Sequence, residues 1–439
     1  MAASSAAARH TDSQEDGNYF VAAYPPFACW QETGLSRFRT ALGTAPGDAA
    51  PFGLYVHLPF CARRCPFCYY LAYDTQSDEI DGYINAVAAE FRMYTDTPLL
   101  AHRDVGFVYV GGGTPSLLSE KRTVRLLTDL QAARPWTHAR EVTFECAPQS
   151  VTPAKMTLLR DLGVTRLSLG VQAFDDRLLE LNGRIHLVRD IERAYDAVRA
   201  AGFPVVNIDL MVGMVGETAE SFAAGVARTI DLAPDMVTIY QMETPAYTPL
   251  AAAVRAGEVD RPAGWAEKRA RLSRGFDALE TAGFTVRSAY AAMRDPARHR
   301  FVYQEDQYRG ADLLGLGVAS FSYLAGMHQQ NVATLNRYLA RVRDDHRPLQ
   351  RAYALTDDER LVREFVLQLK LGHAPADHFR DRFGVDLRER FDAPLAKLSA
   401  DGLLDVSDAG VTLTRAGLLQ ADHLIRAFYL PEHQVDRYN

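Results

Sequence analysis

The chain is poor in cysteine. It has five in 439 residues, and three of them fall within one stretch, Cys61 to Cys68. So uneven a distribution makes a poor disulfide framework and a good metal framework, and it predicts a reducing, cytoplasmic setting. Long apolar runs are also missing. No stretch of roughly 18 apolar residues occurs, so neither a spanning helix nor a membrane partner is predicted. Positive charge is not in excess. The formal net charge of −7 removes any bulk electrostatic pull towards nucleic acid or an anionic surface. No internal repeat is apparent. Met1 to Gly17 is Ala/Ser-rich and then polar, lacks the apolar core of a secretory signal, and reads as a disordered leader.

Apolar residues are plentiful, at 48% of the chain, enough for a large core and a smaller one. From Phe52 onward, strand, loop and helix patterns alternate. Strand candidates are Gly53–His57, Gly106–Val110, Glu141–Glu145, Arg166–Leu169, Val205–Leu210 and Met236–Gln241. Helical patterns lie between them at 80–93, 120–133, 153–162, 190–201 and 219–232. Such alternation predicts a parallel sheet, and six units predict a partial (β/α)6 barrel with its working face at the C-terminal strand ends. A long helix follows at 265–282, then an irregular stretch from Tyr290 to Gln330. Beyond Leu355 the texture changes to helices at 357–371, 376–383 and 387–400, closing on a small β-wing. The fold class is therefore α/β, with a C-terminal helical, winged auxiliary domain. Expected boundaries are 1–50 for a leader and extension, 51–290 for the barrel, 291–354 for a barrel-capping connection and 355–439 for the tail. The wing lacks a concentrated basic face, so nucleic acid is not an expected partner.

The decisive segment runs from Tyr55 to Cys68, with cysteines spaced C-x3-C-x2-C. Gaps this short let one loop wrap three thiolates around one face of a [4Fe–4S] cubane. One iron is then left without a protein ligand. An open metal position admits a substrate, here the amino and carboxylate groups of S-adenosylmethionine. The alternative is a structural zinc site, whose fourth ligand would be His57, or distant Cys29 or Cys146. The latter two read more simply as packed thiols. Gly111-Gly112-Gly113-Thr114-Pro115 follows the second strand, and its glycines allow the backbone close to a ligand. Glu145 and Asp209, at or near strand ends, suit ribose hydroxyls or an amino group. Gln172 adds an amide, and Arg184 could pair with a carboxylate.

These pieces, with Gly170-Val171-Gln172-Ala173-Phe174, Gly183-Arg184-Ile185-His186, Asn207-Ile208-Asp209-Leu210-Met211 and Leu314-Gly315-Leu316-Gly317-Val318, resemble the oxygen-independent coproporphyrinogen III oxidase-like branch of radical S-adenosylmethionine enzymes. The resemblance implies a [4Fe–4S] cluster on Cys61, Cys65 and Cys68 and two S-adenosylmethionine molecules side by side. Tyr55, Gly112 and Glu145 would contact the first. Phe67, Gly113, Thr114, Gln172, Arg184 and Asp209 would line the second, with Met242 and the backbone of Phe321 as further contacts. A low-potential electron donor such as flavodoxin or ferredoxin is the implied protein partner, with a small molecule as substrate.

Two departures narrow the resemblance. The oxidases carry a further cysteine two residues after the third, where this chain has Tyr70. The haem-chaperone members carry a later His-Asn…Tyr-Trp signature, where this chain reads Tyr303-Gln304-Glu305-Asp306-Gln307-Tyr308. The aromatic pair Tyr69-Tyr70 and the segment Tyr240-Gln241-Met242-Glu243-Thr244-Pro245 look more like the class C radical methyltransferases and cyclopropanases. The expected reaction is therefore transfer of a methylene-derived carbon to an sp² carbon of a natural product. Tyr69, Tyr70, His186 and Glu243 are the candidate proton donors or acceptors. The rivals are porphyrinogen decarboxylation and haem binding without turnover.

Overall fold

The computed structural model describes residues 17–47, 50–74 and 77–434, so the expected disordered leader falls, but for Gly17, outside the described residues. Six parallel strands build the partial barrel: β1 (Phe52–Leu58), β2 (Val105–Gly112), β3 (Glu141–Cys146), β4 (Arg166–Gln172), β5 (Val205–Val212) and β6 (Met236–Gln241). Helices Ser77–Thr95, Glu120–Ala133, Pro153–Asp161, Val188–Ala200 and Ala219–Leu232 run between them. Capping fixes where several of these begin. The side chains of Ser119, Thr152 and Thr218 each accept an amide from the first turn of the helix they precede.

Strand register sorts the side chains into two populations. Tyr55 pairs with Tyr109, Tyr109 with Thr143, Glu145 with Ser168, Ser168 with Asn207, and Asp209 with Thr238. These residues therefore share the inner face of the barrel, and the face is polar. The alternate positions, among them Val56, Val108, Phe144, Leu167, Ile208 and Val237, belong to one continuous buried core beneath the helices. Alternation of this kind is the period of a strand, and here it separates a polar lumen from an apolar jacket.

The sheet is wider than six strands. In order it runs Leu349–Ala354, Met327–Asn331, Phe321–Leu324, Leu313–Leu316, β1 to β6, Ala291–Met293 and Thr285–Val286. Leu313–Leu316 is parallel to β1, and the outer strands are antiparallel. The stretch Tyr290 to Gln330, expected to be irregular, is therefore largely sheet and helix, and the expected capping connection extends the sheet at both edges. Its strands are only three to six residues long. Ala291–Met293, Leu313–Leu316 and Met327–Asn331 are buried throughout, so strands this short show neither alternation nor length. The helix expected over 387–400 is also two pieces, Leu387–Arg390 and Asp392–Ala400, which meet at Phe391 (φ −121°).

The C-terminal part packs a second core. The buried helix Asp357–Leu369 sits against a three-stranded sheet of His373–Pro375, Gly410–Leu413 and Leu404–Ser407. Val21 and Tyr24 from the N-terminal segment belong to that core. The segment is held by a clasp. Lys370 and Asp422 form a 2.8 Å ion pair with side-chain exposures of 0% and 1%. Asp422 accepts the Val21 amide at 2.8 Å, Lys370 donates to the Val21 carbonyl at 2.6 Å, and the Tyr290 hydroxyl also donates to Asp422.

Candidate active site at the barrel mouth

Cys61, Cys65 and Cys68 line one cleft together with Phe67, Tyr70, Gly112, Gly113, Thr114 and Arg184. The cluster loop leaves β1 and is drawn against the glycine loop after β2. The Gly113 amide donates to the Leu58 carbonyl, and the Thr114 amide to the Phe60 carbonyl, both at 2.8 Å. Thr114 Oγ1 lies 3.7 Å from Cys61 Sγ, and Arg184 Nη1 lies 3.4 Å from Cys65 Sγ. A Cβ on Gly113 would come within 2.6 Å of the Phe60 carbonyl oxygen and 3.0 Å of Cys61 Sγ, so glycine is required for this approach. Among the described residues, no three His, Cys, Asp or Glu side chains close on a point as one metal ion would require. A cubane asks for a wider triangle, because each thiolate binds a different iron. The donor set and its spacing therefore fit a cluster better than zinc. Cys146 is buried, with its thiol pushed up to about 12 by that burial, and serves as a packed thiol.

Below the glycine loop, Glu145 is gripped at both oxygens. The Tyr109 hydroxyl donates to Oε1 at 2.5 Å and the Gly112 amide to Oε2 at 3.0 Å. Burial raises its carboxyl to about 7, against the opposing pull of the Tyr109 hydrogen bond. Gly112 has φ +118°, and a Cβ there would strike the His57 ring at 2.6 Å. Tyr55 meets His57 Nδ1 at 3.0 Å, and burial pushes the His57 imidazole down to about 4. Asp209 accepts from Ser168 Oγ and Asn207 Nδ2, each at 2.8 Å, and burial raises its carboxyl. Gln172 holds φ +70°, uncommon without glycine, at the break in register between β4 and β5. Arg184 Nη2 also donates to the Gly170 carbonyl, so this one side chain bridges the end of β4 and Cys65 of the cluster loop.

The other expected residues divide. Phe67 and Met242 meet in an apolar cluster with Met214, Val215 and Leu250 beside the mouth. Tyr70 is 52% exposed towards the cleft, its ring 4.7 Å from Tyr69. Glu243 stands just past β6 and accepts the Phe20 amide at 2.6 Å, and burial raises its carboxyl to about 7. His186 is not brought in, and the ring of Phe321 is turned away from the mouth. His186 is fully buried with Nε2 on the Val171 carbonyl, and burial holds its ring neutral, down to about 4. That corrects its reading as a proton donor, because the imidazole is committed behind β4. Phe321 stacks on Phe27 at 4.4 Å, outside the cleft. Sequence reasoning missed Tyr109 and Arg166. Arg166 is buried over the Phe301 ring at 4.0 Å, inside the lumen. The signal was there in the alternating polar positions Glu141-Thr143-Glu145 and Arg166-Ser168-Gly170.

Residues 55–225 match the Radical SAM superfamily, and residues 355–419 match the HemN C-terminal domain. The oxygen-independent coproporphyrinogen III oxidase of Escherichia coli is 30% identical over 427 residues, covering 91% of this chain and 89% of that protein. The chain belongs to the HemN-like radical SAM family. The heme chaperone HemW of Mycobacterium tuberculosis is 31% identical, over 88% of this chain and 96% of its own length. The solved E. coli oxidase superposes with a TM-score of 0.81 at 27% identity, covering 93% of this chain and 96% of that one. A HemN-like radical SAM protein works with a [4Fe–4S] cluster and S-adenosylmethionine. These relatives overturn the expected methyl transfer or cyclopropanation. That reading rested on two short aromatic segments, whereas likeness to oxidases and chaperones runs nearly the length of the chain. No helix of the described residues is long and apolar enough to cross a membrane.

Proposed function

We propose that this HemN-like protein is a radical S-adenosylmethionine oxidase of the coproporphyrinogen III oxidase type, acting on a carboxylate-bearing small molecule at the barrel mouth. The observation that carries the reading is the cleft itself. Arg63, Arg64 and Arg184 line it beside the three cysteines, in a chain whose net charge is −7. A local cationic rim on an acidic protein selects an anionic, carboxylate-bearing substrate. Cys61, Cys65 and Cys68 would hold the cluster. When bound, the cluster and S-adenosylmethionine supply a reducing electron and a primary carbon radical able to take a hydrogen atom. Tyr55, Gly112 and Glu145 would orient the cofactor. Gly113, Thr114, Gln172, Arg184 and Asp209 would seat a second S-adenosylmethionine molecule. Phe67 and Met242 close the apolar side of the mouth and keep water out. Tyr70 and Glu243 remain the candidate proton-handling groups, and the electron comes from a flavodoxin- or ferredoxin-like donor. Each propionate side chain converted to a vinyl group loses one hydrogen atom, one carbon dioxide and one electron, the last to an external acceptor.

A second reading, haem binding without turnover, draws on the chaperone relatives and on Tyr70, which stands where the oxidases have a further cysteine. Anaerobic incubation with coproporphyrinogen III, reductant and S-adenosylmethionine separates the two. The oxidase reading expects carbon dioxide, vinyl product and 5′-deoxyadenosine. Stoichiometric haem binding without carbon dioxide from any propionate-bearing tetrapyrrole would refute it and leave the chaperone.

A further inference from the structure

Among the described residues, Glu145 is the one carboxylate at the mouth whose two oxygens are each held by a donor from β2. One grip is backbone, the Gly112 amide at 3.0 Å, and comes with the glycine loop whatever the side chains are. The other is the Tyr109 hydroxyl at 2.5 Å, and it depends on a single side chain. Register explains the meeting. Tyr109 pairs with Thr143, and Glu145 lies two residues further along the same inner face. The phenol has little freedom to turn elsewhere. Its ring lies 4.5 Å from Tyr303, 6.0 Å from Tyr55 and 6.1 Å from Phe301, so neighbours flank it at the floor of the lumen. Glu145 itself is only part-buried, and each of its oxygens, holding one donor, keeps a lone pair for another.

We propose that Tyr109 is a positioning residue for S-adenosylmethionine: its hydroxyl fixes the Glu145 carboxylate in the orientation and ionised form that receive the cofactor's ribose or ammonium donors. The proposal rests on the cofactor role assigned to Glu145 and not on the identity of the substrate. Its logic is that of an outer partner holding an inner ligand. A carboxylate on a flexible side chain binds well only if its rotamer is set beforehand. The other titratable groups facing Glu145 are the phenols of Tyr55, Tyr70, Tyr240 and Tyr303, the Asp209 carboxyl and the Arg166 guanidinium, with the Cys146 thiol behind it. The phenols and the thiol are raised by burial and stay neutral through the working range. Asp209 and Arg166 act in opposite directions, and a change at Tyr109 removes neither. A hydrogen bond donated to a carboxylate favours its charged form. Its loss therefore moves the pH at which Glu145 ionises upward from about 7.

The test is Tyr109→Phe, which keeps the ring and its stacking. The control is Tyr303→Phe, which removes a neighbouring hydroxyl engaged with Gln307 instead. Both are reconstituted anaerobically and titrated with S-adenosylmethionine by equilibrium binding from pH 6 to 9. Iron and sulfide content is measured alongside. Wild type is expected to lose affinity as pH falls through about 7. Tyr109→Phe is expected to bind about tenfold more weakly at pH 7, with its midpoint moved to higher pH and its cluster content unchanged. Tyr303→Phe is expected to follow wild type. An unchanged affinity and midpoint in Tyr109→Phe overturns the positioning role while leaving the oxidase reading intact. Wild type that binds no cofactor overturns both. A failed coproporphyrinogen assay with normal cofactor binding removes the oxidase reading alone.

Discussion

Lys370→Met should unlatch the N-terminal segment. In the folded chain both partners of the Lys370–Asp422 pair are out of water, with side-chain exposures of 0% and 1%. Removing the lysine leaves Asp422 in place without its counter-charge. Breaking a buried pair in this way costs about 3–5 kcal/mol. Two smaller losses accompany it: the hydrogen bond to the Val21 carbonyl at 2.6 Å, worth about 1 kcal/mol, and the ammonium over the Phe20 ring at 3.9 Å, worth about 0.5–2 kcal/mol. Methionine restores some apolar contact, so a net loss of about 3–5 kcal/mol is expected. Urea unfolding followed by tryptophan emission measures it, because Tyr19 of the segment packs on Trp265 at 5.3 Å. The double variant Lys370→Met/Asp422→Asn removes both charges and should recover at least about 1 kcal/mol of the sum of the single losses. A single-variant loss below about 1 kcal/mol, or strictly additive single losses, would show that the pair does not hold the segment.

Two further outcomes test the mouth. Reconstituted protein should hold about four iron and four sulfide per chain. The joint change of Cys61, Cys65 and Cys68 to Ala should abolish that content, whereas Cys29→Ala and Cys146→Ala should leave it whole. Gly113→Ala must push a Cβ into the Phe60 backbone at 2.6–2.9 Å, so it should destabilise the chain by about 1–3 kcal/mol and lower cluster retention in iron analysis.

The barrel strands were legible because their outward faces alternate cleanly with polar positions. Their mouth-side ends were not. β1, β2, β3, β4 and β5 each run one to three residues past the expected stop, to Leu58, Gly112, Cys146, Gln172 and Val212. The overrun mixes core residues such as Leu58, Val171 and Val212 with Gly111, Gly112, Gly170 and Gln172, and glycine or amide side chains there read as loop although the backbone still pairs. The cluster loop was fully legible, since three thiols at short spacing need little tertiary information. His186 was misread for a different reason. Adjacency in sequence to mouth residues says nothing of direction, and the chain turns this side chain into neighbouring packing. Tyr109 was missed because a lone tyrosine in a strand looks like core, and only the register with Glu145 gives its hydroxyl a task.

The clasp also dictates an order of events during synthesis. Val21 waits for Asp422, 401 residues later, Asn18 for the amide of His423, 405 residues later, and Tyr24 for His433, 409 residues later. Contacts of such sequence separation form last, because their loop closure follows that of the strands between them. A ribosome-bound chain can therefore complete every β–α unit while Asn18 to Tyr24 are still unlatched from the region beside Glu243 at the barrel mouth. The segment can dock only once Asp422, His423 and His433 have been made.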